Sequence, residues 1–103
     1  LEIVIPELWQ IILEIAAGAI CGKVFGRLYD AIGAAAVVAF LLSIFLFLFG
    51  NPEAATDLSK PLDITTMSEK ITIVMFALVN FILHAALFEI GAFPVNLATS
   101  RNN

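Results

Sequence analysis

The sequence predicts an all-α membrane protein with three transmembrane helices, at about residues 6–28, 31–50 and 68–93, in an antiparallel bundle. Three observations lead there. Of 103 residues, 61% are hydrophobic and 14% charged, with a mean hydropathy of +1.02. A soluble domain carries about 45–50% apolar and about 25% charged residues. Small domains bury only about 60% of their surface, so a chain this short cannot hide that much apolar side chain in its own core. Finally, the apolar runs reach the length a helix needs to cross about 30 Å of hydrocarbon. The chain reads as a single domain, 1–103, with a polar loop at 51–67 and a polar, frayed tail at 96–103.

The first segment, Pro6 to Leu28, opens with Pro6 and Glu7, both suited to a first helical turn. Trp9 fits the interfacial aromatic belt. Glu14 and Lys23 interrupt the run, and Lys23 and Arg27 can snorkel to headgroups. An amphipathic helix lying in the interface is the competing reading. Apolar residues fall nearly all round the helix rather than on one face, which favours a span.

The second segment, Ala31 to Gly50, carries no charge. Its first half is small (Gly33, Ala34, Ala35, Ala36), which lets a neighbour approach closely. Its second half is rich in phenylalanine (Phe40, Phe45, Phe47, Phe49), fit to face lipid or fill gaps. Asn51-Pro52 ends it. The third segment begins near Met67, where Thr66 to Glu69 fits a capping box, and stops at Pro94. It contains Asn80, His84 and Glu89. A short turn around Tyr29-Asp30 makes the first two helices antiparallel neighbours.

The net charge is −4 and the pI about 4.6. With no basic cluster, neither nucleic-acid binding nor anionic-lipid sensing is expected. Nothing near the N-terminus reads as a signal peptide, since Glu2 and Glu7 stand where a cationic region would be. Lys23, Arg27 and Arg101 on one side outnumber Lys60 and Lys70 on the other, which places the N-terminus outside.

Ionisable groups at membrane depth are costly and tend to face protein or water. Glu14 and His84 are the candidates. Glu7, Gln10, Glu14, Ala17, Gly18 and Cys21 form one stripe on the first helix. Glu69, Ile73, Asn80, His84, Leu87 and Gly91 form another on the third. If the stripes face each other, Glu14 or Asn80 can hydrogen-bond His84, as interhelical glue or as a proton relay. His84 is also the one residue that could ligate a haem or chlorophyll, though no cofactor is required. Gly18, Gly22 and Gly26, with Ala17 and Cys21 beside them, form a small-xxx-small ridge for close helix contact. The ridge could meet the alanine-rich half of the second helix or another subunit. The lone Cys21 reads as a packing residue. Trp9, Lys23 and Arg27 read as interface anchors.

No zinc or iron–sulfur spacing, catalytic triad or phosphate loop is present, so an enzyme acting alone is not expected. The expected role is an accessory or structural subunit of a larger membrane complex of respiratory, photosynthetic or oxidase type. Its partners would be other membrane subunits and lipid. The alternatives are a homo-oligomeric channel, transporter or viral membrane protein, and a pigment- or haem-binding subunit through His84.

Overall fold

The computed structural model describes residues 5–100. Four helices follow one another: α1 (Leu8–Val24), α2 (Leu28–Gly50), α3 (Pro52–Ser59) and α4 (Ile64–Ser100). No strand occurs among the described residues. Two helices, α2 and α4, are long and apolar enough to cross a membrane. Only 22% of the most apolar window of each is buried inside the chain, so their apolar side chains point mainly outward. Glu2 and Arg101 lie outside the described residues.

Glu7 caps α1. Its backbone N–H donates to Gln10 Oε1 at 2.8 Å, and its carboxylate takes the Gln10 backbone N–H in return. The helix ends at Val24, short of the expected Leu28. Phe25, Gly26 and Arg27 form the link, and α2 begins at Leu28, so Tyr29 and Asp30 belong to a helix rather than to a turn. Asp30 lies in the first turn of α2, where the helix dipole favours a negative charge.

The loop expected at 51–67 is itself partly helical. Pro52 lacks an N–H to lose and has its φ preset, so it starts α3 as readily as it stops α2. α3 buries Ala54 against Phe47 and Ile73. Asp63, not Thr66, opens α4: Asp63 N–H donates to Thr66 Oγ1 at 3.2 Å, and the Ile64 N–H donates to the Asp63 carboxylate at 2.6 Å. The helix therefore starts at Ile64 and not near Met67.

α4 also runs through Pro94 to Ser100, where the sequence predicts a stop and a frayed tail. Proline costs one backbone hydrogen bond, but a side chain two residues on ties the following turn down. Asn96 Nδ2 donates to Gly22 O at 3.0 Å and to Phe25 O at 2.7 Å. These carbonyls belong to the last turn and C-cap of α1, where backbone acceptors run out of intrahelical partners. Asn96 thus closes α1 and holds α4 past its proline. Replacing Asn96 with Leu is expected to cost about 1–3 kcal/mol, the penalty of stranding buried polar groups. Faster hydrogen exchange at Phe25 N–H, which bonds Cys21 O, would report the loosened end.

α4 is the central element, packed along both α1 and α2. Glu14 meets His84, Gly18 meets Phe88, and Gly22 meets Ala92, so α1 and α4 run parallel. α2 runs opposite to both: Ala39 packs with Phe88, Asn80 bonds Ser43, and Phe47 packs with Ile73. The result is a long, flat body of 57 × 26 × 14 Å. Phe47 turns inward, while Phe45 and Phe49 stack outside it at 6.1 Å. Phe40 meets Phe81 edge-on at 5.6 Å, clasping α2 to α4.

Candidate functional site

The α1–α4 seam is built from absent side chains. A Cβ on Gly18 would lie 1.9 Å from Phe88 O, and one on Gly22 2.4 Å from Ala92 O. From the other side, a Cβ on Gly91 would lie 2.0 Å from Ile15 O. The two backbones touch because three positions carry only hydrogen. Ala17 and Cys21 are half-buried beside this seam, against the cluster of Ala35, Ala39, Phe88 and Ala92. Gly26 departs from the expected ridge. It lies beyond the end of α1 with open space where a Cβ would go. Gly33 on α2 is equally open; the glycines of the ridge, Gly18 and Gly22, meet α4, while Ala17 and Cys21 beside them pack against a cluster that includes Ala35 and Ala39 of α2.

Close approach leaves little room for water, and Glu14, Asn80 and His84 are among the polar side chains sealed inside. Glu14 is 4% exposed; Asn80 and His84 are 0% exposed. His84 sits four residues before Phe88 on α4, and Glu14 four before Gly18 on α1. The same parallel register that seats Gly18 on Phe88 therefore brings carboxylate and imidazole together, and Glu14 Oε1 bonds His84 Nδ1. Asn80, one turn away, bonds elsewhere: its Nδ2 donates 3.0 Å to Ser43 O on α2. Ser43 Oγ donates to Phe40 O within its own helix. α4 is thus polar-linked to α1 by His84 and Asn96, and to α2 by Asn80. Glu14 Oε2, His84 Nε2 and Asn80 Oδ1 meet no partner among the described residues.

His84 is enclosed on all sides, so a macrocycle on its Nε2 would have to part α4 from its neighbours. Among the described residues no group of His, Cys, Asp and Glu has the arrangement of a metal site. Trp9, Lys23 and Arg27 are exposed, at the two ends of α1 and the start of α2. Trp9 Nε1 donates to Glu7 Oε2 at 2.6 Å.

Two polar groups on α4 matter more than their sequence context suggests. One is Asn96, which the sequence places in a tail. The other is Glu89, half-buried, with both carboxylate oxygens shielded and meeting no donor among the described residues. It stands two positions before Gly91, which faces α1, and so roughly 160° round the helix from that contact. A carboxylate near the middle of an apolar segment was itself the signal. No protein-family model, no curated protein and no solved structure matches this chain.

Proposed function

We propose that this chain crosses a bilayer three times, through α1, α2 and α4, and serves as an accessory, non-catalytic subunit of a larger membrane assembly. α1, with 17 residues, is about 26 Å long, close to the hydrocarbon thickness. Its two interrupting charges suit a span: Glu14 turns inward to His84, and Lys23 is exposed in the last turn, at headgroup reach. The outward apolar faces of all three helices suit lipid or protein neighbours, not water.

Glu89 carries the subunit reading. Ala39, the midpoint of α2, packs against Phe88, so Glu89 lies near mid-depth of the bundle. An ionisable group there is expensive and ordinarily meets a partner. Its own chain offers none among the described residues. Both oxygens are shielded in the free chain, so the half-buried side chain must swing outward to meet a donor from a neighbouring subunit, which completes the site. The Glu14–His84, Asn80–Ser43 and Asn96–α1 bonds work within the chain, as register pins between helices, worth about 0.6–2 kcal/mol each.

Extraction of native membranes in mild detergent, followed by native gels and mass spectrometry, tests this. The chain should travel with larger subunits, and Glu89→Leu should release it while the released chain keeps its helical circular dichroism. A chain that runs as a symmetric homo-oligomer would point instead to a channel or transporter. Unchanged co-migration of the Glu89→Leu variant would remove Glu89 from the interface.

A further inference from the structure

Pro94 leaves a mark on the outer face of α4. It has no N–H, so the carbonyl of Ile90, four residues before it, loses its regular helical donor. Lipid tails offer no replacement, and in membrane proteins such a carbonyl is commonly satisfied by a neighbouring helix or a polar side chain. The side-chain donors nearby on α4 are committed elsewhere: Asn96 to Gly22 O and Phe25 O, and Thr99 to Val95 O. Ile90 and Pro94 are both exposed, so the carbonyl lies on the outside of the bundle.

Glu89 stands one residue away, about 1.5 Å of helix rise, so two acceptors short of donors share one depth. Ala86 is a helical neighbour of both, three residues before Glu89 and four before Ile90, and it is exposed. Its small side chain makes a shallow floor between them, over which the Glu89 side chain can swing outward. Phe93 is the neighbour of both on the following turn, and its ring is exposed. Carboxylate, carbonyl oxygen and aromatic face all attract a cation, and none of them donates a hydrogen bond.

We propose that this patch docks a transmembrane helix of a neighbouring subunit, whose lysine or arginine donates to Glu89 and to Ile90 O and lies against Phe93. A cation at this depth is as costly alone as the carboxylate is, so each side completes the other. The inference rests on the subunit reading and names the chemistry of the partner.

Variants expressed in native membranes are extracted over a detergent series, and the chain recovered with the larger subunits is measured. Glu89→Gln keeps the shape and can still donate and accept, but loses the charge. It should weaken association at least about thirtyfold, the low end for breaking a buried charged pair. Pro94→Ala returns an N–H to Ile90 O. The released Pro94→Ala chain should unfold at a higher temperature than the parent, yet associate about five- to tenfold more weakly, a combination that misfolding does not give. The partner identified by mass spectrometry should carry a lysine or arginine within a span. A partner with none, or unchanged association of Pro94→Ala, would overturn the proposal. Release by Glu89→Leu with retention of Glu89→Gln would make the donor neutral, overturning the cation while the subunit reading stands. Retention of both Glu89 variants would sink the two together.

Discussion

Gly18→Ala is expected to separate α1 from α4, although it adds a single methyl group. The new Cβ would fall 1.9 Å from Phe88 O, with the Phe88 carbonyl carbon at 2.7 Å and Cα at 2.9 Å. All three are backbone atoms and cannot rotate aside, so relief requires one helix to move. Overpacking of a well-packed core costs about 1–3 kcal/mol, and a collision with main chain belongs at or above the top of that range. The consequences spread along the seam. Moving α1 outward at Gly18 also stretches the Glu14–His84 bond on one side and the Asn96 contacts on the other. Thermal unfolding in detergent should show a large drop in Tm. Gly26→Ala and Gly33→Ala, where no atom lies within 4 Å of the added carbon, should stay within about 0.5 kcal/mol of the parent. Equal effects at all three glycines would mean that the seam is not where the stability lies.

The second large effect is expected at the Glu14–His84 pair, where the single and double variants should rank in an unusual order. Glu14→Leu leaves an imidazole with no exposure and no partner, and His84→Leu leaves a carboxylate in the same state. Removing one member of a buried pair typically costs about 3–5 kcal/mol, because the remaining group keeps its desolvation penalty. Removing both and substituting apolar groups of similar size is often close to neutral. The double variant Glu14→Leu/His84→Leu should therefore be more stable than either single one. Denaturation in mixed micelles, analysed as a double-mutant cycle, measures this coupling directly. Additive losses would show that the two side chains are stabilised separately.

Much of this could be read from residues alone, and the misses share a physical cause. The apolar runs and the two polar stripes follow from helical periodicity, which is local; it left His84 open to Glu14 or to Asn80, and only packing gives Glu14 to His84 and sends Asn80 to Ser43. The partner of the Gly18–Gly22 ridge was not legible, because an alanine-rich α2 and an α4 presenting Phe88, Ala92 and Gly91 are both suitable faces. Only the three-dimensional arrangement chooses between them. Pro94 reads as a stop when judged by backbone chemistry, yet Asn96 supplies the tertiary hold that carries α4 past it. Asn51-Pro52 is ambiguous in the same way: proline ends one helix and is the favoured first residue of the next, and burial of Ala54 decides the matter. Glu89 was visible as a charge in an apolar segment, but the lack of a donor on its own chain appears only once the helices are packed.

The reading rests on α1 passing through the bilayer and not lying along its surface. Single cysteines at Glu7, Gly26 and Glu53, in a Cys21→Ser background, can be labelled with a membrane-impermeant thiol reagent in sealed, oriented vesicles. These positions lie before α1, between α1 and α2, and in α3. A three-span chain labels Glu7→Cys and Glu53→Cys from one side and Gly26→Cys from the other. Labelling of Glu7→Cys and Gly26→Cys from the same side would put α1 in the interface and contradict the arrangement.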